Sequence, residues 1–197
     1  MPTPNETIAH EWKKQKVFEP AETSEKEKFY LTVPYPYPTG PLHVGHGRTF
    51  TTGDVMARFA RVQGKNMLWS MAFHVTGTPV LATSDMIKRK DPEAMKMYRA
   101  YVSIYEKNPA KAEQILHSFE DPKKVVEFFS SVIESDFTRM GYSIDWRKQF
   151  TTMDPYYQQF VQWQFRKFME KGALVKGKYP ILYSPVDGSA VGEDDIK

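Results

Sequence analysis

Two histidines three residues apart are the residues of this sequence best suited to chemistry. His43 and His46 lie in the stretch PYPTGPLHVGH, with Gly45 between them and a Pro/Gly-rich lead-in. On the first turn of a helix, both imidazoles would project from one face, beside free backbone N–H groups and the positive end of the helix dipole. Gly45 has no Cβ and would allow a purine or a triphosphate to approach the backbone. The pattern predicts an anion clamp suited to nucleotidyl transfer.

The histidine pair also has a structural alternative. His43 could cap a turn and His46 could fill a half-buried helix position. A metal site is disfavoured, because no carboxylate lies at ligand spacing from the pair and such sites need three or four protein ligands. We therefore expect no metal here, and the surrounding elements decide between the other two interpretations.

Those elements place the pair where α/β folds bind ligands. Alternating bulky and β-branched residues predict a strand over Phe29–Val33, and apolar periodicity after His46 predicts a helix that ends at Gly64. The stretch NMLWSMAF predicts a second strand, parallel to the first because a helix crosses over between them. The histidines then follow the carboxyl end of a parallel strand, which favours a nucleotide site.

Helices dominate the remainder of the sequence. The stretch IAHEWKKQKVF predicts an N-terminal helix, and Asp-Pro opens DPEAMKMYRAYVSIYEK, DPKKVVEFFSSVIESDFTRMG and DPYYQQFVQWQFRKFMEKG, which places Asp at each N-cap. Two of these helices carry apolar stripes that we expect to be buried. The stripes are Val125, Phe128, Phe129, Val132, Ile133 and Phe137 in one, and Tyr157, Phe160, Val161 and Phe168 in the other.

The amino-acid composition is that of a globular protein and excludes several kinds of site. The 197 residues are 41% hydrophobic, enough for a sizeable core, and the net charge of +3 permits a polyanionic partner without requiring one. The absence of cysteine excludes disulfides and thiolate metal sites. No stretch has the apolar length of a signal peptide core or a membrane span. We expect a cytoplasmic protein with no membrane partner.

The histidine stretch resembles the His-x-Gly-His signature of class I aminoacyl-tRNA synthetases. The segments YPYPTG, GRTFTTGDVMARFARVQG, MAFHVTGTPV and GYSIDWRKQFTTMDP with FVQWQF are similar, in this order, to leucyl-tRNA synthetases of the archaeal and eukaryotic cytosolic kind. The resemblance implies an α/β fold, the N-terminal half of a class I Rossmann domain with a parallel sheet, followed by a mostly helical segment leading to the editing-domain insertion point. We expect an N-terminal helix and spacer over 1–27, the half-domain over 28–90, a helical insertion over 91–172, and a strand-like connector over 173–197, interrupted before the editing domain.

The resemblance also implies roles for individual residues. His43 and His46 match the catalytic positions that contact ATP, together with Gly45. The rest of the implied ATP-binding loop is Pro36, Tyr37, Pro38, Thr39, Gly40, Pro41, Leu42 and Val44. The implied amino-acid-binding residues are Tyr37, His74 and Thr76, although Tyr37 could be a plain loop aromatic and His74 a hydrogen-bonded structural residue. Asp145 and Trp146 are expected to organise a turn. Arg48, Arg58 and Arg61 are expected either to contact RNA or to form the solvated face of a helix.

The implied reaction is ATP-dependent activation of leucine, with Mg²⁺, and transfer of the leucyl group to tRNA(Leu). The second class I signature, Lys-Met-Ser-Lys-Ser, has no counterpart here, so a second subunit or the missing C-terminal half is expected to supply it. Ser184 stands where many relatives have a zinc-binding cysteine, so no zinc is expected. Two alternatives stay open: a non-catalytic paralogue that binds a nucleotide or tRNA, and a small adenylyltransferase with another acceptor.

Overall fold

The computed structural model describes residues 4–185 and 189–190, and the chain falls into two compact units, Met1–Thr152 and Met153–Lys197. The first unit contains, in order, α1 (Pro4–Lys14), β1 (Lys28–Leu31), α2 (Val44–Val62), β2 (Asn66–Trp69), β3 (Ala72–Phe73), α3 (Thr78–Lys88), α4 (Pro92–Tyr105), α5 (Pro109–Ser118), α6 (Pro122–Arg139), a 3₁₀ turn (Trp146–Lys148) and β4 (Phe150–Thr151). The second contains α7 (Pro155–Glu170), β5 (Tyr183–Ser184) and β6 (Ser189–Ala190). The Gly-Glu-Asp-Asp end of the predicted connector lies outside the described residues.

The predicted parallel strand pair is confirmed. Strands β1 and β2 pair in parallel over four residues each, with α2 as the crossover between them. The stretch NMLWSMAF is not one strand as predicted but two, because the chain changes partner at Trp69. The carbonyl of Trp69 accepts the N–H of Asp145, and β3 then pairs in parallel with β4 instead of continuing along β1. Strand β1 also ends at Leu31, two residues before the predicted Val33.

Helix α2 packs closely on the strands because three of the four buried residues on its inner face are small. Phe50, Gly53, Ala57 and Ala60 are buried at helical spacing. A Cβ at Gly53 would lie only 3.0 Å from Val33 Cγ1. This close approach fixes the height of α2, and so of the histidine turn at its N-terminus, above the sheet.

Two helix ends coincide with residues in the left-handed region. Helix α2 ends at Val62, and Gly64 follows with φ +81°, as its predicted position at the helix end requires. Helix α1 ends at Lys14 rather than at the predicted Phe18, because Lys16 adopts φ 55° and breaks the helical path.

The three Asp-Pro signals each begin a helix as predicted. Asp91 accepts the N–H of Ala94 at 2.9 Å, and Asp121 accepts the N–H of Lys123 at 2.9 Å. Two further helices escaped sequence prediction. Helix α5 begins with the related pair Asn108–Pro109, whose Asn side chain caps it, whereas α3 follows Gly77 and has no side-chain cap.

Helix α6 connects two hydrophobic cores. Its predicted stripe is confirmed: Val125 and Phe129 belong to a core shared with α3, α4 and α5, and Ile133 and Phe137 belong to the core of α2 and the strands. The other two members of the stripe, Phe128 and Val132, are partly buried against the first of these cores.

The predicted burial of the α7 stripe is wrong for the part of the chain described here. Phe160, Val161 and Phe168 are 56%, 40% and 45% exposed, and Tyr157 is half-buried. An apolar period shows that a helix has an apolar face. It does not show that a partner for this face lies in the same chain.

Candidate nucleotide-binding site

The two histidines cap helix α2 reciprocally. His43 occupies the N-cap with extended backbone (φ −125°, ψ 173°), and its Nδ1 accepts the N–H of Gly45 at 3.1 Å. The Nδ1 of His46 in turn accepts the N–H of His43 at 3.2 Å. The ring centroids are 3.9 Å apart. This arrangement is a capping box in which imidazoles replace the usual hydroxyl and carboxylate groups.

The cap determines which nitrogen of each ring can donate. A neutral imidazole carries one proton, so a ring that accepts at Nδ1 holds its proton on Nε2. Burial lowers the pKa of His46, and the electrostatic cost of a second positive charge beside His43 lowers it further, which favours the neutral form. His43 is exposed and His46 is half-buried. The pair therefore presents two Nε2–H donors at the N-terminus of α2.

This geometry modifies the predicted anion clamp. The N–H groups of His43 and Gly45, expected to be free for a ligand, are already bonded to the imidazoles. The structural alternative and the chemical interpretation thus describe the same arrangement, because capping at Nδ1 orients the donors at Nε2. An anion at this turn would contact the rings rather than those two backbone groups.

Gly45 has a steric role in addition to the predicted one. A Cβ at this position would lie 2.9 Å from His43 Cε1 and 3.0 Å from its Nδ1. Both distances are shorter than van der Waals contact. The glycine therefore leaves room for the ring of His43, independently of whether a nucleotide approaches the backbone at this position.

The predicted amino-acid-binding residues lie close to one another. The rings of Tyr37 and His74 have centroids 4.2 Å apart, and the N–H of His74 donates to the carbonyl of Pro36 at 3.0 Å. Thr76 is held through its N–H and hydroxyl by the Thr152 hydroxyl, at 3.2 and 3.0 Å. The loop after β1 is thus joined to the loop after β3.

The other residues of the predicted ATP-binding loop differ in their solvent exposure. Pro36 and Pro38 are buried, and Leu42 packs against the core, so these residues hold the loop in place. Thr39, Gly40 and Pro41 are half-buried, and Val44 is 91% exposed. A groove of about 910 Å³ borders the turn on the side of α6. Its lining includes His43, Arg48, Thr51, Arg139 and Tyr142.

Arg58 and Arg61 both bond to a distant segment of the chain. Arg58 donates to Asp54 and to the carbonyl of Gly141, each at 2.6 Å. Arg61 donates to the hydroxyl and carbonyl of Ser143 at 2.6 and 2.9 Å. Neither side chain is therefore free on a solvated helix face, although that of Arg58 stays 37% exposed, whereas Arg48 is exposed beside the groove. Contact with RNA stays a prediction for these arginines.

The turn predicted around Asp145 and Trp146 is confirmed. Asp145 is 2% exposed, and its carboxylate accepts the backbone N–H of Arg147 and pairs with the guanidinium of that residue at 2.8 Å. The carboxylate thereby caps the 3₁₀ turn that leads into β4.

The described residues contain neither a group of metal ligands nor a membrane-spanning helix. Within 4–185 and 189–190, no three His, Cys, Asp or Glu side chains lie close enough together to hold a metal ion. In the same part of the chain, no helix combines the length and apolarity needed to cross a membrane.

Comparison with known proteins identifies the family. The family model described as tRNA synthetases class I (I, L, M and V) matches residues 7–197. Leucine–tRNA ligases of Staphylothermus marinus and Thermoplasma acidophilum are 46% and 48% identical over 186 residues, which is 94% of this chain. The chain spans about a fifth of the length of these relatives, 19% and 20%.

A solved structure supports the fold independently. A ternary complex of LeuRS, tRNA and LeuAMS from Agrobacterium radiobacter K84 matches with a TM-score of 0.68 and 19% identity, covering 98% of this chain and 20% of that one. This likeness concerns the fold, which is the α/β architecture expected from the sequence. With the family model matching nearly the whole chain, the protein belongs to the class I tRNA synthetases (I, L, M and V).

Proposed function

We propose that this chain forms the ATP- and leucine-binding part of a leucine–tRNA ligase. The observation that carries the proposal is the reciprocal cap, which leaves the Nε2–H groups of His43 and His46 as donors at a helix N-terminus. The identity to leucine–tRNA ligases, 46% and 48% for two of them, supports leucine as the amino acid.

In the proposed first step, a carboxylate oxygen of leucine attacks the α-phosphorus of ATP, and pyrophosphate leaves. The imidazoles are the catalytic residues, because their Nε2–H groups donate to phosphate oxygens as negative charge develops there. The loop Pro36–His46 forms the ATP-binding surface. In the second step, a terminal ribose hydroxyl of tRNA(Leu) attacks the carbonyl carbon of the leucyl-adenylate, and AMP leaves. No nucleophilic side chain is required, since the reaction depends on placement and charge stabilisation.

The proposed leucine subsite consists of Tyr37, His74 and Thr76. Tyr37 is 44% exposed, and its ring lies against His74, so it offers an apolar surface to an aliphatic side chain while its hydroxyl stays near water. His74 offers a ring nitrogen to the polar end of the amino acid. The link from the N–H of His74 to the carbonyl of Pro36 keeps this subsite in register with the ATP loop.

Magnesium fits this site as an ion held mainly by the nucleotide. The described residues hold no metal-binding cluster, and Mg²⁺ bound with ATP commonly keeps waters and phosphate oxygens as ligands. When bound, the ion would neutralise charge on the departing pyrophosphate. We expect no zinc. The proposed partner is the remainder of the synthetase, which would carry the Lys-Met-Ser-Lys-Ser signature, and the proposed compartment is the cytoplasm, in keeping with the absence of cysteine.

The decisive experiment separates capping from phosphate binding. His43→Asp and His46→Glu install the side chains that are usual in a capping box, so helix α2 should keep its cap and its stability. Both changes remove an Nε2–H donor and add negative charge. Binding of ATP and of a leucyl-adenylate analogue, followed by calorimetry, should weaken at least about a hundredfold. The control is His10→Glu, the same charge change on an exposed helical histidine, which should leave binding unchanged.

Leucine-dependent pyrophosphate exchange tests the complete reaction. It should appear when the chain is combined with a polypeptide that carries the rest of the synthetase, and the two variants should abolish it. A folded, assembled pair that binds the analogue without exchange would favour the non-catalytic paralogue. Adenylyl transfer to a small acceptor without leucine would favour the other adenylyltransferase. Unchanged ATP binding in both capping variants would refute the proposed role of the histidines.

A further inference from the structure

A stripe of polar side chains on α2 grips the segment Gly141–Ser143. The stripe consists of Thr51, Asp54, Arg58 and Arg61, spaced three and four residues apart on one side of the helix. The Asp54 carboxylate accepts the N–H of Ser143 at 2.7 Å. Together with the two arginine contacts described above, this bond fixes the backbone on both sides of Tyr142.

Tyr142 lies in the middle of this segment and reaches α2 itself. The residue is 6% exposed, and its ring packs near Phe137 and Trp69, at centroid distances of 5.5 and 6.3 Å. Its hydroxyl lies 2.9 Å from the Thr51 hydroxyl and donates to the carbonyl of Gly47 at 3.3 Å. The ring position is set by the core and the backbone is held, so the hydroxyl has little freedom.

The contact with Gly47 connects Tyr142 to the histidine turn. The N–H of Gly47 donates to the carbonyl of His43 at 3.2 Å, the first helical bond after the N-cap. Two residues after this segment, the N–H of Asp145 donates to the carbonyl of Trp69 at the end of β2. The chain from Gly141 to Asp145 therefore connects the end of a sheet strand to the first turn of α2.

We propose that Tyr142 is a positioning residue whose hydroxyl holds the first turn of α2, and with it the imidazoles of His43 and His46, in register with the sheet edge for a nucleotide phosphate. This role rests on the proposed function. It predicts that removal of one hydroxyl, with the aromatic ring retained, disturbs the histidine turn while the fold stays intact.

The test is Tyr142→Phe, with Tyr98→Phe as the matched control. Tyr98 is also buried, 4% exposed, and its hydroxyl pairs with Thr83 at 2.8 Å, but it lies in the other core. Two measurements are made on the whole chain: the side-chain ¹⁵N–¹H resonances of His43 and His46, and the affinity for ATP. For Tyr142→Phe, we expect shifted Nε2 resonances and affinity weaker by about threefold to tenfold. For the control, we expect neither change.

A second pair of variants keeps the test decisive if Tyr142→Phe does not fold. Thr51→Val removes the other hydroxyl of the contact, and Thr52→Val is its control, since Thr52 bonds only to its own helix at the carbonyl of Arg48. Shifts in the histidine resonances for Thr51→Val but not Thr52→Val support the positioning role. Resonances and affinity that match the control in both comparisons overturn it.

The two proposals fail in different ways. If the unaltered chain binds no ATP, the proposed function fails, and the histidine resonances alone then decide whether Tyr142 positions the turn. If the unaltered chain binds ATP and Tyr142→Phe binds it equally well with unshifted resonances, the positioning role fails and the proposed function stands.

Discussion

Replacing Gly45 by Ala should separate the stability of α2 from its ability to bind a phosphate. The new Cβ would lie 2.9 Å from His43 Cε1, whereas carbon atoms in contact prefer about 3.5–4.0 Å. The ring must therefore move by about 0.6–1 Å. The bond from the N–H of Gly45 to Nδ1 is 3.1 Å long, so this shift would carry it past the limit for a hydrogen bond.

The effect on stability should be small because two terms oppose each other. Replacing a helical glycine by alanine stabilises by about 0.5–1 kcal/mol, while losing an N-cap contact costs about 0.5–2 kcal/mol. Phosphate binding has no such compensation. A displaced donor to a charged group costs about 1.5–3 kcal/mol, or roughly tenfold to a hundredfold in affinity.

The assay pairs urea unfolding with calorimetric titration of ATP, and Gly47→Ala serves as the reference. A Cβ at Gly47 meets no atom within 4 Å, so this variant reports helix propensity alone and should gain about 0.5–1 kcal/mol. The reasoning is refuted if Gly45→Ala gains as much stability as Gly47→Ala, or if both variants bind ATP with the same affinity.

Three further predictions concern the support of the site. Gly53→Ala should destabilise by about 1–3 kcal/mol in urea unfolding, because its Cβ would lie 3.2 Å from Trp69 Cζ2; no loss would mean that α2 can move away from the sheet. Burial lowers the pKa of His46 below its ordinary 6.5, so the unfolded chain binds a proton at His46 at a higher pH than the folded chain does. The free energy of unfolding should therefore fall as the pH drops below about 6.5. His46→Gln should remove this pH-dependent contribution, and a pH profile of stability that is the same in the variant would contradict the prediction. Arg61→Lys should lower the free energy of unfolding by about 1–3 kcal/mol because the ammonium cannot reproduce both bonds of the guanidinium. Arg48→Lys, on the exposed surface, should leave it unchanged. Equal unfolding midpoints for the two variants would refute the stabilising role of the Arg61 bonds to Ser143.

Local signals predicted the elements that position the site. The alternation before Pro34, the Asp-Pro pairs and the spacing of the histidines are each contained within a few residues, and β1, α4, α6 and the α2 turn follow them. The Asn108–Pro109 pair that begins α5 uses the same capping chemistry as the Asp-Pro pairs. It could have been recognised by extending that rule to asparagine.

The features that were missed depend on contacts between distant parts of the chain. Arg58 and Arg61 look like a solvated helix face until the carbonyls of Gly141 and Ser143 are brought beside them. The break between β2 and β3 likewise depends on Asp145, which is far along the chain. Periodicity gives the faces of a helix, but the identity of the neighbour on each face is a property of the tertiary fold.

Three sets of residues on helix α2 together position the histidine pair: its buried face, its polar stripe and its N-terminal turn. Its buried face carries Phe50, Gly53, Ala57 and Ala60, which set its distance from the sheet. The adjacent polar stripe sets its position along its own axis by holding Gly141–Ser143. With the distance of α2 from the sheet and its position along its axis both fixed, the reciprocal cap determines the conformation of the N-terminal turn. A substitution on either face should therefore reach the imidazoles by moving the helix, even though it touches neither ring.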